Sequence, residues 1–351
     1  MRKRVLTFIA ACFYYGGLVR LARWWIRRAG QRLVILNYHC ATGGDLRRHL
    51  LYLRRHYRIL HLEAALQELY MPHENGGRVG DRRIPLVLTF DDGYRDNYTH
   101  AFALARELQI PFTIFLVPGY VESGDYFWWQ EGNRLVSRTQ MSEVMIEGRI
   151  YHLDQPEERK ILAQTILTRL CQAASVAERE AFLTFISKVL AVLSSPAPEE
   201  EPALPLKWPE VWEMEESGWV SFGAHTMHHP ILAYLADPAE VQSEVEECRR
   251  LLEQHLGHPV RAFAYPIGQS QHIGDNVIRA VQQAGYDWGL TTTYGFNTPR
   301  SDSYLLRRIE VDVSQHWLVI AAEAAGLWGF FSRLRWVPLV RKYLTNSMEG
   351  C

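Results

Sequence analysis

The sequence predicts an α/β barrel: a parallel sheet whose strands alternate with helices, interrupted once by a long helical insertion. Three observations carry this reading. Short apolar, β-branched runs alternate with helical stretches, as repeated βα units do. Four polar clusters stand directly after such runs, where the strands of a parallel barrel all open onto one face. The length of 351 residues suits one large barrel with insertions as well as it suits two average domains.

In chain order, residues 1–30 form a distinct leading segment. Val5 to Val19 is largely apolar, follows Arg2, Lys3 and Arg4, and runs into the Arg/Trp-rich stretch Leu21 to Arg28. Roughly 15 apolar residues fall short of the ~20 that span a bilayer. No small-residue cleavage site follows the run, so a membrane-surface anchor is expected rather than a cleaved signal. Ordinary helices packed on the barrel are one alternative, and a membrane span by the first segment is another. The barrel itself is placed at 31–315, with strands at Leu33 to Leu36, Pro85 to Phe90, Phe112 to Val117, Trp219 to Gly223, Arg261 to Ala264 and Trp288 to Thr292. Helices are expected at Asn97 to Leu108, at Pro238 to Leu256 with its acid-rich start, and at Asn276 to Ala284, closed by Gly285.

Residues 121–209 are too long for a plain connection and read as an insertion between barrel strands. Glu157 to Leu193 is amphipathic and helical in pattern, while Ser194 to Pro202 is a proline and acid-rich loop. Phe127, Trp128 and Trp129 could stack on a sugar at its edge, although burial in a core is expected for at least one of them. The segment 316–351 mixes aromatics and cations, as in Leu327 to Trp336 followed by Arg341 and Lys342, and repeats the membrane-seeking character of the first 30 residues.

Bulk properties exclude some functions. A net charge of -1 supplies no global field for nucleic acid, and no nucleic-acid-binding motif is present. Cys12, Cys40, Cys171, Cys248 and Cys351 are scattered without a CxxC pair, which argues for reduced thiols over a disulfide framework or a thiolate metal cluster.

The chemistry lies in the four clusters after strands: Tyr38-His39, Asp91-Asp92-Gly93, His225-Thr-Met-His-His229 and Tyr265-Pro266. Neighbouring strand residues point to opposite sides, so Asp91 and Asp92 should divide labour. One carboxylate would join two imidazoles on a metal; the other would be free to take a proton from water. His225 and His229 are four apart, which on a helical turn brings both rings to one side. Two His and one carboxylate leave coordination positions open, the arrangement of a catalytic rather than a structural zinc site. Taken singly, Asp-Asp-Gly is a common turn and HxxxH a common surface pair. Their joint placement at strand ends points to a hydrolase.

Thr89-Phe-Asp-Asp-Gly93 and His225-Thr-Met-His-His229 resemble the first two signature motifs of the polysaccharide deacetylase family, which carries a NodB homology domain; Arg261-Ala-Phe-Ala-Tyr-Pro266 resembles the third. The resemblance runs from about Leu33 to about Asp312, with residues 121–209 poorly matched. It implies a distorted (β/α)7 barrel and a divalent metal, usually zinc. It assigns Asp91 as general base, Asp92, His225 and His229 as metal ligands, and Arg261 as the partner of the base. A backbone N–H near Tyr265 would help hold the oxyanion. Many members end in a leucine-x-x-histidine motif that supplies the general acid, but here the corresponding stretch reads Leu305-Leu-Arg-Arg-Ile309, with no histidine. Tyr38-His39 resembles a subgroup in which a first-strand histidine reaches the pocket, so His39 is the expected acid. Tyr286-Asp287-Trp288 would contribute a pocket wall or tune that histidine, with ordinary barrel packing as the alternative for Asp287 and Trp288.

The expected function is therefore N-deacetylation of an N-acetylhexosamine in a polysaccharide or a lipid-linked glycan, at a membrane. Deformylation or deacylation of a lipid-linked sugar is a close rival, and a catalytically weak sugar-binding protein a distant one.

Overall fold

A computed structural model of the chain describes residues 2–71, 81–192 and 203–329. Ten strands form among the described residues: β1 (Val34–Tyr38), β2 (Tyr57–Ile59), β3 (Ile84–Phe90), β4 (Phe112–Leu116), β5 (Glu143–Ile146), β6 (Arg149–His152), β7 (Val220–Ala224), β8 (Ala262–Ala264), β9 (Trp288–Leu290) and β10 (Ile309–Glu310). The main sheet runs in the order β10-β1-β3-β4-β7-β8-β9, every pairing is parallel, and β2 adds to the start of β3. The six predicted strands are all present, within a few residues of their predicted ends.

The sheet curls until one segment bridges its two edges. Leu306 N–H donates to Gly289 O and Thr291 N–H donates to Leu306 O, while a few residues on Val311 N–H donates to Asn37 O. Residues 306–311 thus join β9 to β1 and close the barrel, which is distorted there because little regular strand is left in the join.

Side-chain alternation along each strand sorts the barrel into two faces. Val34, Leu36, Leu86, Leu88, Ile114, Leu116, Phe222 and Phe263 belong to the outer core under the helices. Leu33, Ile35, Val87, Phe115, Ala262, Ala264, Leu290 and Leu306 fill the interior, packed on Leu62, Ala65, Leu66 and Leu69 of the helix Leu62–Tyr70. By the same alternation Asn37, Thr89 and Arg308 point inward one layer higher, toward the C-terminal strand ends. The interior is apolar below and polar above.

The surrounding helices begin and end where their sequences instruct. The longest, Pro238–Leu256, matches its predicted span: Asp237 caps it by accepting from Ala239 N–H, Pro238 opens it and Gly257 at φ 76° closes it. The predicted helix over 97–108 starts with a wider π turn at Asn97–Phe102 before continuing as Ala103–Leu108. Two helices, Arg2–Tyr15 and Leu18–Arg28, precede the barrel.

The insertion has its own hydrophobic core, built from Phe127, Trp128, Leu135, Leu162, Ile166 and Ile186 among others. The predicted helical region over 157–193 is two helices, Pro156–Cys171 and Val176–Val189, the second capped by Ser175. It also contains the unpredicted antiparallel hairpin β5–β6, whose turn residues Glu147 and Gly148 have φ 50° and 81°. Such a turn is usually signalled by Asn-Gly or Asp-Gly, which this sequence lacks here. The proline-rich loop 194–202 and residues 330–351 of the basic aromatic tail lie outside the described residues. Cys12, Cys40 and Cys248 are free thiols, whereas Cys171 is disulfide-bonded, a departure from the expectation of reduced thiols.

Ile166 is fully buried in the insertion core. Replacing it with Ala is expected to cost about 2–5 kcal/mol, read as a lowered denaturant midpoint.

Candidate active site

The site is built where β3 ends. Asp91 continues the inward alternation of Val87 and Thr89, but the chain then turns sharply: Asp92 has φ 72° and Gly93 φ 77°. A side chain at position 93 would also collide with Leu116. This left-handed turn separates the two carboxylates and lets each meet different partners.

Asp91 is fixed by a buried network. Arg308 Nη1 donates to its Oδ1 at 2.7 Å and Nη2 to its Oδ2 at 2.8 Å, a bidentate pair, while Asn37 Nδ2 donates to Oδ2 at 2.9 Å. Asn37 Oδ1 in turn accepts from Thr89 Oγ1 and Arg308 Nη1, and Arg308 Nε donates to Thr291 O. Burial pushes the Asp91 carboxyl up, but the Arg308 guanidinium, by its charge and its hydrogen bonds, outweighs this and holds the group well below the usual carboxylate range. Oδ1 accepts only the Arg308 bond among the described contacts, leaving a lone pair for another proton.

Asp92 faces the histidines. Its Oδ1 lies 3.5 Å from His225 Nε2 and 3.5 Å from His229 Nε2, and all three residues are buried. That separation is long for a direct hydrogen bond. It is close to the ligand-to-ligand edge of a tetrahedron with bonds near 2.1 Å, about 3.4 Å. His225 Nδ1 donates to Ala264 O at 2.7 Å, which leaves its Nε2 lone pair facing Asp92. Burial pushes Asp92 up to about 7 and His225 down to about 4, and drives His229 well below its ordinary value. Neutral imidazoles are the form that binds metal, and a divalent cation between these groups would offset the cost of an ionised Asp92. The donor set fits such an ion.

The loop carrying the two histidines is irregular, not the helical turn their spacing suggested. Thr226 and His229 have φ 64° and 56°. Neighbours hold this strained path: Thr226 Oγ1 accepts from His229 N–H, Glu244 accepts from the backbone and ring of His228, and Trp128 Nε1 donates to His229 O at 2.9 Å.

His39 stands just past β1, half-buried, where its charge would act on Asp91, Asp92, His225 and His229 alike. Two residues not singled out in the sequence place its loop. Asp96 Oδ2 accepts from the backbone N–H of Ala41 and Thr42, and Asn97 Nδ2 donates to His39 O at 3.0 Å. Glu310, also unforeseen, pairs in register with Asn37 and so points the same way, leaving an accessible carboxylate on the site face. Of the aromatic trio, Phe127 and Trp128 are buried core residues, whereas Trp129 is half-buried, its ring 4.4 Å from that of His229. Cys40 is an exposed residue, but its sulfur is locally desolvated and faces Asp96, Asp92 and Asp312, which together push the thiol up to about 12 and disfavour the thiolate.

This arrangement agrees with comparison to known proteins. The family model described as polysaccharide deacetylase matches residues 79–164 and 171–289, more than half of the chain. The chain belongs to the polysaccharide deacetylase family. YxkH of Bacillus subtilis, a relative assigned to the same family, is 21% identical over 285 residues, covering 80% of this chain and 71% of its own. The fold is that of the Streptococcus pyogenes deacetylase PplD in complex with acetate (TM-score 0.54, 18% identity, 84% of this chain and 98% of that one). IcaB from Ammonifex degensii is similar to the same extent (TM-score 0.52, 19% identity, 84% and 98%). Membership makes the chain a hydrolase of carbon–nitrogen bonds acting on sugar polymers.

Two expectations drawn from the deacetylase motifs fail on geometry. Ala262 and Ala264 face the barrel interior, so Arg261 and Tyr265 on either side of them face outward. Arg261 is exposed and lies 3.8 Å from Asp287; the partner of Asp91 is Arg308. Tyr265 is buried outside the barrel, its hydroxyl donating to Tyr304 O, so it is no substrate contact; its backbone N–H is already spent on Leu290 O. Tyr286 and Trp288 are packing residues, the former bonded to Val245 O.

Arg308→Met should destabilise the fold by about 3–5 kcal/mol, because it strands the Asp91 charge in the interior. Arg261→Ala should stay within about 0.5 kcal/mol. Chemical denaturation of the two variants separates the assignments.

Proposed function

We propose that the chain is a divalent-cation-dependent N-deacetylase acting on N-acetylhexosamine units of a glycan. The observation that carries the reading is the division of two adjacent carboxylates at the end of β3: Asp91 held ionised by Arg308 and Asn37, Asp92 set 3.5 Å from each of two buried imidazoles. Family membership supplies the class of substrate.

Asp92, His225 and His229 would hold the cation, and zinc suits one carboxylate and two imidazoles. When bound, such an ion supplies Lewis-acid polarisation of the acetyl carbonyl and eases ionisation of water. The remaining chemistry belongs to the chain. Asp91 accepts a proton as the water oxygen bonds to the acetyl carbon, aided by its free lone pair on Oδ1. The carbon–nitrogen bond then breaks, acetate leaves, and the amine nitrogen takes a proton from His39. Arg308 keeps Asp91 in place and ionised until it takes that proton, and Trp129 offers a flat apolar wall beside His229 for the sugar ring.

Acetate release from N-acetylglucosamine oligomers is expected to be lost on chelation and restored by zinc. Asp91→Asn and His39→Ala should each lower kcat by about 10²–10⁴-fold while retaining zinc binding by calorimetry. Asp92→Ala should lose both. Formate or a longer acid released in place of acetate would move the reading to deformylation or deacylation, and zinc binding without any hydrolysis would move it to a sugar-binding role.

A further inference from the structure

No single helix among the described residues is long and apolar enough to cross a membrane; Lys3–Tyr15 and Leu18–Arg28 pass that test only together, and they are bent by 66° at Gly16-Gly17. Their packing shows what they do instead. Ala10 on the first helix is fully buried against Leu318 and Val319 of the helix Trp317–Ala324, and Val19 and Ile26 on the second are buried in the main core. The opposite faces are uncovered and apolar. On the first helix Val5, Phe8, Cys12 and Tyr15 recur at intervals of three and four and are exposed, Phe8 by 70% and Tyr15 by 75%. The second helix continues the rhythm with Leu18, Leu21 and Trp25, the last 67% exposed, and Trp24 beside them. A stripe at this spacing lies along one side of each helix.

The charges around the stripe have one sign. Between Met1 and Gly44 the sequence has no Asp or Glu, against Lys3 and Arg4 at the start of the first helix and Arg20, Arg23, Arg27 and Arg28 on the second. Arg28 folds over the Trp24 ring at 4.4 Å. The neighbouring helix Leu46–His56 ends in Arg54, Arg55 and His56.

We infer that this stripe is a fixed docking surface for an anionic lipid bilayer, with the two helices lying in the interface and not crossing it. Charge decides between occupants. A second copy seated face to face would bring arginines against arginines, whereas acidic headgroups complement them. Packing excludes the span: withdrawing the helices into lipid would uncover Leu318, Val319 and the core around Val19, and would bury Arg20 and Arg23. The dock is also oriented. Lys3 Nζ donates to Ser314 Oγ, in the loop that follows β10, so the first helix starts beside the catalytic rim. The second ends a few residues before the start of β1, at the opposite end of the barrel. The bilayer therefore lies along the barrel flank, and the site mouth opens about one helix length, ~20 Å or less, from the headgroups. The surface suits a glycan presented at a membrane.

Flotation of the full chain with vesicles tests this without reference to catalysis. Vesicles of phosphatidylcholine containing about one third phosphatidylglycerol should bind at least about tenfold better than phosphatidylcholine alone, and high salt should release the protein. The double variant Leu21→Glu, Trp25→Glu should lose binding by a similar factor with an unchanged melting temperature. In case that variant folds poorly, brominated lipid should quench tryptophan fluorescence of the unaltered chain, and far less that of Trp24→Phe, Trp25→Phe. Equal binding to neutral vesicles, binding that resists alkaline carbonate, or a dimer dispersed by the double variant without vesicle binding would each overturn the inference.

Discussion

The bidentate pair between Asp91 and Arg308 is the constraint on which the rest depends. A carboxylate turned into the interior of a barrel must find a cation or neutralise. Its partner comes from the one segment that also closes the sheet. The charge pair and the barrel's clasp are thus one structure: Arg308 stands between Leu306, bonded to β9, and Val311, bonded to β1. Asn37 and Thr89 take up most of the remaining donors and acceptors, so the network pairs most of the polar groups it buries and leaves Asp91 Oδ1 a lone pair for the reaction. A base anchored this way stays ionised and stays put.

Alternation along the strands then decides which residues can take part. Apolar side chains fill the lower interior and polar ones the upper, and any residue out of phase lands under the helices or in solvent. That single rule places Asn37, Asp91, Arg308 and Glu310 at the site and removes Arg261 and Tyr265 from it. The family motif around 261–266 keeps its resemblance, but β8 contributes a different part to the site, the Ala264 carbonyl that orients His225.

Legibility in the sequence followed the range of the interactions. The six strands were readable because their apolar runs are local, and the helix Pro238–Leu256 because its caps are local. Asp91, Asp92, His225 and His229 were readable because parallel strands end together. Arg308 was not: its meaning depends on a contact 217 residues away, and the stretch around it stands out from the family motif only by the histidine it lacks. A faint signal existed, since an arginine in phase with Leu306 on a closing strand must be buried and therefore paired. The path of the 225–229 loop could not be read, because left-handed φ at Thr226 and His229 is imposed by neighbours and not by their own preferences.

That imposed path changes the status of the insertion. A loop with two strained residues does not hold two imidazoles in register alone; the restraint comes from Glu244 on the long helix, from the Ala264 carbonyl on β8, and from Trp128 on the insertion, whose indole N–H holds the His229 carbonyl. Trp128 is itself locked by the insertion's core, packed edge-on to Trp129 with Arg179 over its ring. The packing of helices outside the barrel therefore reaches the candidate metal site through one hydrogen bond. An insertion only appended to the barrel could vary without consequence for the ligands. This one cannot, and changes in its core should be felt as changes in the position of His229.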